Sequence, residues 1–383
     1  MIDIGKIGLV PTPFYYYDLD LLRRTLAALK KESERYGYIV HYAMKANSND
    51  RLLELIAASG LGADCVSGNE VARARQHKFS HIVFAGVGKS DEEINVALDR
   101  DIFCFNCESL QEIEVIDELS QKKNKIAPIA LRINPNVNAN THKYITTGLE
   151  ENKFGINLWE LDNVVKRTQE LKHVKIIGIH FHIGSQITDL NAFKSLCLRA
   201  NEIQSWFVSH KIALQHINVG GGLGVDYHEP DKHAIPDFAA YFSLFKEFLE
   251  LRPGQKLHFE LGRAVVAQCG SLISKVLFVK KGVNTSFVIL DAGMTELIRP
   301  ALYQSYHKIE NLSAQKPSQP DHQSLRYDVV GPICESSDCF GKAVMLPETR
   351  RGDIFALRTT GAYGEVMSSQ YNLRDRVKAV YSE

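Results

Sequence analysis

The stretch Tyr38-Ile39-Val40-His41-Tyr42-Ala43-Met44-Lys45-Ala46-Asn47 decides how the fold is read. Its first part is rich in aromatic and β-branched residues, reads as a strand, and closes on a lysine. Seven more runs of the same texture follow: Gly62 to Ser67, Ile82 to Val87, Ile102 to Cys107, Ala127 to Ile133, Ile176 to Ile183, His216 to Gly220 and Lys256 to Leu261. Between runs lie amphipathic stretches such as Leu19 to Arg35, Asp91 to Arg100 and Ala192 to His210. Strands that alternate with helices build parallel β/α units. Eight such units without a dinucleotide fingerprint predict an α/β fold, a closed (β/α)8 TIM-type barrel.

Beyond about residue 265 the texture changes. Short β-rich runs recur at Ser271 to Val279, Ser286 to Leu290, Tyr327 to Val330, Asp353 to Arg358 and Arg376 to Tyr381, with no long helical pattern between them. This predicts a C-terminal all-β sandwich or barrel. The expected division is a barrel over residues 20–264 and a β domain from 1–19 and 265–383. The polar stretch Leu312 to Gln323, with Pro317 and Pro320, reads as a surface loop.

Composition narrows the function. The chain has 383 residues, with Lys+Arg and Asp+Glu both at 45, so the basic surface that nucleic acid demands is not expected. No apolar run is long enough to span a bilayer. Met1 to Lys6 carries no basic segment leading into a long apolar one, so a cytoplasmic enzyme is expected. Seven cysteines, an odd number, do not suggest a disulfide framework. Cys104 and Cys107 form a lone C-x-x-C inside a strand with no second pair at zinc spacing, and they read as buried thiols.

In β/α barrels chemistry sits at the C-terminal ends of the strands. The residues there are Lys45, Asp64 with Ser67, Arg132 with Asn134, His180 with His182 and Ser185, Gly220-Gly221-Gly222, and Glu260 with Arg263. A lysine atop a barrel lumen either reaches out to water or, desolvated, offers a neutral amine for a Schiff base. Gly220 to Gly224 is either a tight turn or a cup whose backbone amides close on a phosphate. It does not match G-x-G-x-x-G, because position 225 is Val. Gly88-Lys89-Ser90 ends like a Walker A loop, yet position 83 is Val where glycine is required. His180 and His182 can stack on a flat ring; no third residue stands at metal-binding spacing, so no metal is expected. Glu260 needs a cationic partner, either Arg263 or the protonated nitrogen of a bound ring.

The blocks Tyr42 to Asn47, His180 to Gln186, Gly220 to Gly224, Glu260 to Arg263, Asp291 to Met294, Arg299 to Tyr303, Gly331 to Ser336 and Gly361 to Gly364, in this order, resemble the fold-type III pyridoxal-phosphate decarboxylases. In that family an alanine-racemase-like barrel is joined to a β domain. The resemblance runs over almost the whole chain. It is strongest to members acting on diaminopimelate, and implies conversion of meso-2,6-diaminopimelate to L-lysine and carbon dioxide, the last step of lysine biosynthesis. It implies that Lys45 holds pyridoxal 5'-phosphate covalently, that His182 stacks on its ring, and that Glu260 keeps the ring nitrogen protonated. Ser185, Gly220, Gly221, Gly222 and Tyr363 would surround the phosphate, with backbone near Gly262 and Arg263. Cys334, from the partner subunit of a homodimer with shared sites, would return a proton after decarboxylation. Arg263, Arg299, Tyr303, Glu335 and Tyr363 would bind substrate, the arginines gripping its distal carboxylate. An apolar wall near His180 or Phe181 is expected around the departing carboxylate.

The sequence departs from the family pattern at Leu261, where proline is usual, and at Glu365 and Asp375. Competing readings are decarboxylation of ornithine, arginine or a carboxylated polyamine, which Glu335 and Arg299 disfavour, and racemisation, which needs a tyrosine where Cys334 stands. A non-catalytic binding protein would be expected to lack the lysine, the cysteine or the glycine cup.

Overall fold

The structure is a computed structural model, and it describes residues 10–137, 153–314 and 324–382. The chain divides into two compact units. One holds Thr25–Gly224 and Pro236–Val265; the other holds the described residues of Met1–Arg24, Val225–Ile235 and Val266–Glu383.

Strand β1 (Phe14–Tyr17) leads into a helix, Leu19–Tyr36. Eight parallel strands follow and close on themselves: β2 (Ile39–Ala43), β3 (Gly62–Cys65), β4 (Ile82–Phe84), β5 (Cys104–Cys107), β6 (Ala127–Arg132), β7 (Val174–His180), β8 (His216–Asn218) and β9 (Lys256–Leu261). Each of the eight runs read from the sequence overlaps one strand, with β7 starting two residues before its run. The barrel shuts where β2 meets β9, with His41 opposite Glu260.

Local chemistry explains the alternation. Four of the helices that follow the barrel strands open on a capping side chain. Ser67, Ser90, Ser109 and Asp237 accept bonds from the backbone amides of Glu70, Glu93, Glu112 and Ala240. Such caps satisfy amide donors that a helix start leaves open. The Walker-like Gly88-Lys89-Ser90 is explained in the same way. Ser90 opens the helix Asp91–Asp99 through a capping box with Glu93, and buried Lys89 pairs with Glu112 at 2.6 Å.

The second unit carries an eight-stranded sheet of path β12-β15-β10-β11-β13-β14, with β1 pairing β10 and also β16. Its strands are β10 (Gly270–Lys281), β11 (Ser286–Leu290), β12 (Ile309–Asn311), β13 (Leu325–Val330), β14 (Cys339–Leu346), β15 (Ile354–Leu357) and β16 (Lys378–Tyr381). β1, β12 and β14 were not legible as strands in the sequence. Of the polar loop Leu312 to Gln323, residues 315–323 lie outside the described residues, as does Met1 to Lys6.

Cys104 and Cys107 are buried free thiols on β5. Among the described residues, no helix is long and apolar enough to cross a membrane.

Candidate active site

Strand β2 ends at Ala43, two residues earlier than the sequence suggested. Lys45 sits in the short 3-10 turn Met44–Ala46, so it is presented by a turn and not by strand alternation. Its side chain keeps 39% exposure, and its Nζ lies 3.7 Å from the fully buried Asp64 carboxylate at the end of β3. Neither Asp64 oxygen has a hydrogen-bond partner. Burial, reinforced by the charge of Glu260, pushes the Asp64 carboxyl well above its ordinary range, while Lys45 opposes this.

Glu260, near the end of β9, is only 6% exposed. Its Oε1 accepts bonds from Asn106 Nδ2 at 2.9 Å and Asn218 Nδ2 at 2.7 Å. Its Oε2 accepts from His180 Nε2 at 3.0 Å. Burial alone would raise this carboxyl, but the His180 bond and then the Lys45 charge outweigh it and hold the carboxyl below its ordinary value. A buried carboxylate with three donors and nearby cationic groups stays ionised. His180, one of two residues expected near the departing carboxylate, donates to Glu260. Arg263 hydrogen-bonds Ser185 Oγ through Nη2 at 2.9 Å.

Beside Glu260 lies the glycine run. Asn218 links the two, since its Oδ1 accepts the Gly220 amide at 2.9 Å while its Nδ2 holds Glu260. Gly220 and Gly222 have φ of +68 and +107. A Cβ on Gly220 would strike the Phe181 carbonyl, one on Gly221 the Glu260 carbonyl, and one on Gly222 the Gly184 carbonyl. Only glycine gives this close-packed turn, so the backbone itself forms the surface.

His182 Nδ1 accepts the Gly221 amide at 3.3 Å. That bond requires an unprotonated Nδ1, and burial together with Lys45 and Arg132 lowers the imidazole well below its ordinary value. His182 is therefore a neutral ring. Arg132 is itself held by Glu108 at 2.6 Å. Gly262 packs against the Lys45 turn, where a side chain would press on Ala46 and Ala43.

The barrel unit therefore brings together Lys45, His182, Ser185, Gly220, Gly221, Gly222, Glu260, Gly262 and Arg263. It adds Asn106 and Asn218, which sequence reasoning missed. Asparagines inside strands carry no sequence signal until their strands are neighbours. The donor set fits a phosphorylated, aldehyde-bearing pyridine: an amine, a neutral ring, an ionised carboxylate and a glycine cradle that a Cβ would fill.

In the second unit, Arg299 and Tyr303 begin and end the short helix Arg299–Tyr303. Arg299 is buried, donates to Ser305 Oγ at 3.3 Å and lies over the Tyr227 ring at 5.5 Å. Tyr363 is half-buried with φ of +57. Cys334 and Glu335 lie exposed on one loop. Of the departures from the family pattern, Leu261 is buried in β9 opposite Tyr42. Glu365 accepts a 2.6 Å bond from Tyr17. Asp375 lines a surface cavity with Arg374 and Arg376.

The family model described as "Pyridoxal-dependent decarboxylase, pyridoxal binding domain" matches residues 19–267. The chain is 56% identical to a diaminopimelate decarboxylase of Bacteroides thetaiotaomicron, over 99% of this chain and 98% of that one. The crystal structure of diaminopimelate decarboxylase from Helicobacter pylori, complexed with L-lysine, matches with a TM-score of 0.91 at 38% identity, covering 99% of this chain and 93% of that chain. The arginine decarboxylase of Paramecium bursaria Chlorella virus shares the fold, at 21% identity and a TM-score of 0.87. The chain belongs to the diaminopimelate decarboxylases, within the pyridoxal-dependent decarboxylase family.

Proposed function

We propose that Lys45, His182 and Cys334 carry the decarboxylation of meso-2,6-diaminopimelate to L-lysine and carbon dioxide, with pyridoxal 5'-phosphate as cofactor. The observation that carries this reading is the buried Glu260 carboxylate, held ionised by three donors beside a lysine amine and a glycine cradle. When bound, the cofactor supplies an electron sink for the bond to the departing carboxylate.

The protein's part is to hold and orient. Lys45 would hold the cofactor through its amine, which is presented by the turn Met44–Ala46. Asp64, whose pKa is raised, stands beside the Lys45 nitrogen and can hold a proton there. Glu260, held ionised, would pair with a protonated ring nitrogen. His182, a neutral ring, would pack on the cofactor without adding a second positive charge. Gly220, Gly221, Gly222, Ser185, Tyr363 and the backbone of Gly262 and Arg263 receive the phosphate. Arg263, Arg299 and Tyr303 bind the distal carboxylate, and Glu335 faces the distal ammonium. Losing such a buried charged contact costs about 2–5 kcal/mol, enough to reject lysine and ornithine.

The barrel unit, Thr25–Gly224 with Pro236–Val265, serves chiefly the cofactor, and the second unit supplies most of the substrate-binding residues. We assign the enzyme to the cytoplasm and to a symmetric homodimer in which a second copy supplies Cys334 to hold the proton that replaces the lost carboxylate. Carbon dioxide release tests the proposal. The wild type should release it from meso-diaminopimelate and not from L-lysine, ornithine or arginine. Lys45→Ala and Cys334→Ala should each be nearly inactive, and mixing them should restore part of the activity through hybrid dimers. Exchange of subunits without recovered activity contradicts the shared site.

A further inference from the structure

The loop Gly331 to Asp338 is pinned from behind by one buried carboxylate. Asp338 is 3% exposed; its Oδ2 accepts the Ile333 amide and its Oδ1 the Met294 amide, both at 2.7 Å. Gly331 and Gly293 lie so close to this carboxylate that a Cβ on either would meet it. The loop is therefore tied to the segment Asp291–Thr295 just before the residues proposed to do chemistry.

A second segment is tied to the same frame. The Ser369 amide donates to the Thr295 carbonyl at 2.9 Å, and Arg374 Nη2 donates to the Asp291 carbonyl at 3.1 Å. Between these anchors lies the turn Tyr371–Leu373. Its Asn372 and Leu373 both have φ of +55, and Leu373 is 97% exposed. Asparagine tolerates this left-handed region; leucine occupies it at a cost, with no burial in return. What the turn gains is visible at its two polar side chains. Asn372 Oδ1 accepts the Cys334 backbone amide at 3.2 Å, and Tyr371 Oη donates to Glu335 Oε1 at 2.8 Å. Two successive residues thus grip two successive residues, in crossed order.

We propose that Tyr371 and Asn372 are positioning residues for the reaction. Tyr371 sets the direction of the Glu335 carboxylate and so acts as a specificity determinant for the substrate's distal ammonium. Asn372 fixes the backbone that carries the Cys334 thiol. A glutamate on an exposed loop otherwise samples several rotamers, and ordering it in advance lowers the cost of binding. This inference rests on the roles given above to Cys334 and Glu335.

Tyr371→Phe removes one hydroxyl and keeps the ring; Asn372→Gly removes the acceptor and keeps the left-handed backbone accessible. In the holoenzyme Tyr371→Phe should raise KM for meso-diaminopimelate about tenfold, the worth of one hydrogen bond to a charged group, with kcat changed less than about twofold. Asn372→Gly should lower kcat and leave KM close to its wild-type value. In a Glu335→Gln background, Tyr371→Phe should have no further effect. Thermal midpoint and the cofactor's visible absorbance report on folding in every variant. An unchanged KM in Tyr371→Phe, or losses that multiply in the double variant, overturns the inference and leaves the role of Glu335 standing. An unchanged KM in Glu335→Gln alone overturns that role and the inference with it.

Discussion

The lumen of the barrel carries two buried polar clusters, and they are built on opposite principles. Toward the starts of the strands, His216 Nδ1 meets His258 Nε2 at 2.9 Å, and His258 Nδ1 meets His41 Nε2 at 2.9 Å. His41 Nδ1 ends the chain on the His81 carbonyl at 3.3 Å. A carbonyl only accepts, so all three imidazoles donate through Nδ1, while His41 and His258 accept through Nε2 and are therefore neutral. Phe103 stacks on His41 and His258. At the other end stand Lys45, Asp64 and Glu260, charged or poised to be, with neither Asp64 oxygen hydrogen-bonded. Neutral groups that satisfy one another can fill a core at little cost, whereas charged groups left partly unsatisfied persist only where something else uses them. The difference supports the proposed placement of the working end.

The comparison breaks most plainly at Glu260. Glu260→Gln keeps the shape and removes the charge; kcat should fall about a thousandfold, as when a preorganised electrostatic group is lost, with the histidine end undisturbed. Steady-state kinetics check this, and a loss below tenfold would place the working charge elsewhere.

Acid sharpens the comparison next. Burial lowers His41 from 6.5 to about 4, burial and His41 lower His258 to about 2, and His216 is also lowered. Between 6.5 and those values the unfolded chain binds more protons than the folded one. The histidine cluster therefore contributes fully above pH 6.5 and its contribution is lost as pH falls toward 4, by about 3 kcal/mol for His41 alone. Glu260, also depressed, adds a second loss only below its ordinary value of 4.5. Denaturant unfolding at stepped pH should show the first decline before the second; flat stability between pH 7 and 5 breaks the neutral-cluster reading.

The smallest effect is expected at Asp64. In the apoenzyme, Asp64→Asn should raise stability by about 1–2 kcal/mol, because the amide has no charged form for burial to penalise, while turnover of the loaded enzyme falls. Thermal melting and turnover together test this, and a loss of stability would mean that the Lys45 pair outweighs burial.

Much of this was legible because it lies in residue types at strand ends. Lys45, His182, Gly220 to Gly222 and Glu260 could be named from their runs, since parallel strands buried on both faces read as continuous apolar stretches. Their partners could not. Asn106 and Asn218 reach Glu260 from strands far apart in the chain. Among the sheet strands, β12 has three residues, and β14 contains Gly341 and Ala343 with shifted register, so neither shows a clean period of two. Asp338, Tyr371 and Asn372 act through single bonds between loops, a pattern with no spacing to read.

The central claim is that the charged end of the lumen, through one amine, holds the cofactor. Borohydride reduction of the holoenzyme followed by peptide mapping tests it directly. The account predicts the reduced pyridoxyl group on the peptide containing Lys45. Its recovery on Lys89 or any other lysine, with Lys45 unmodified, would contradict the account.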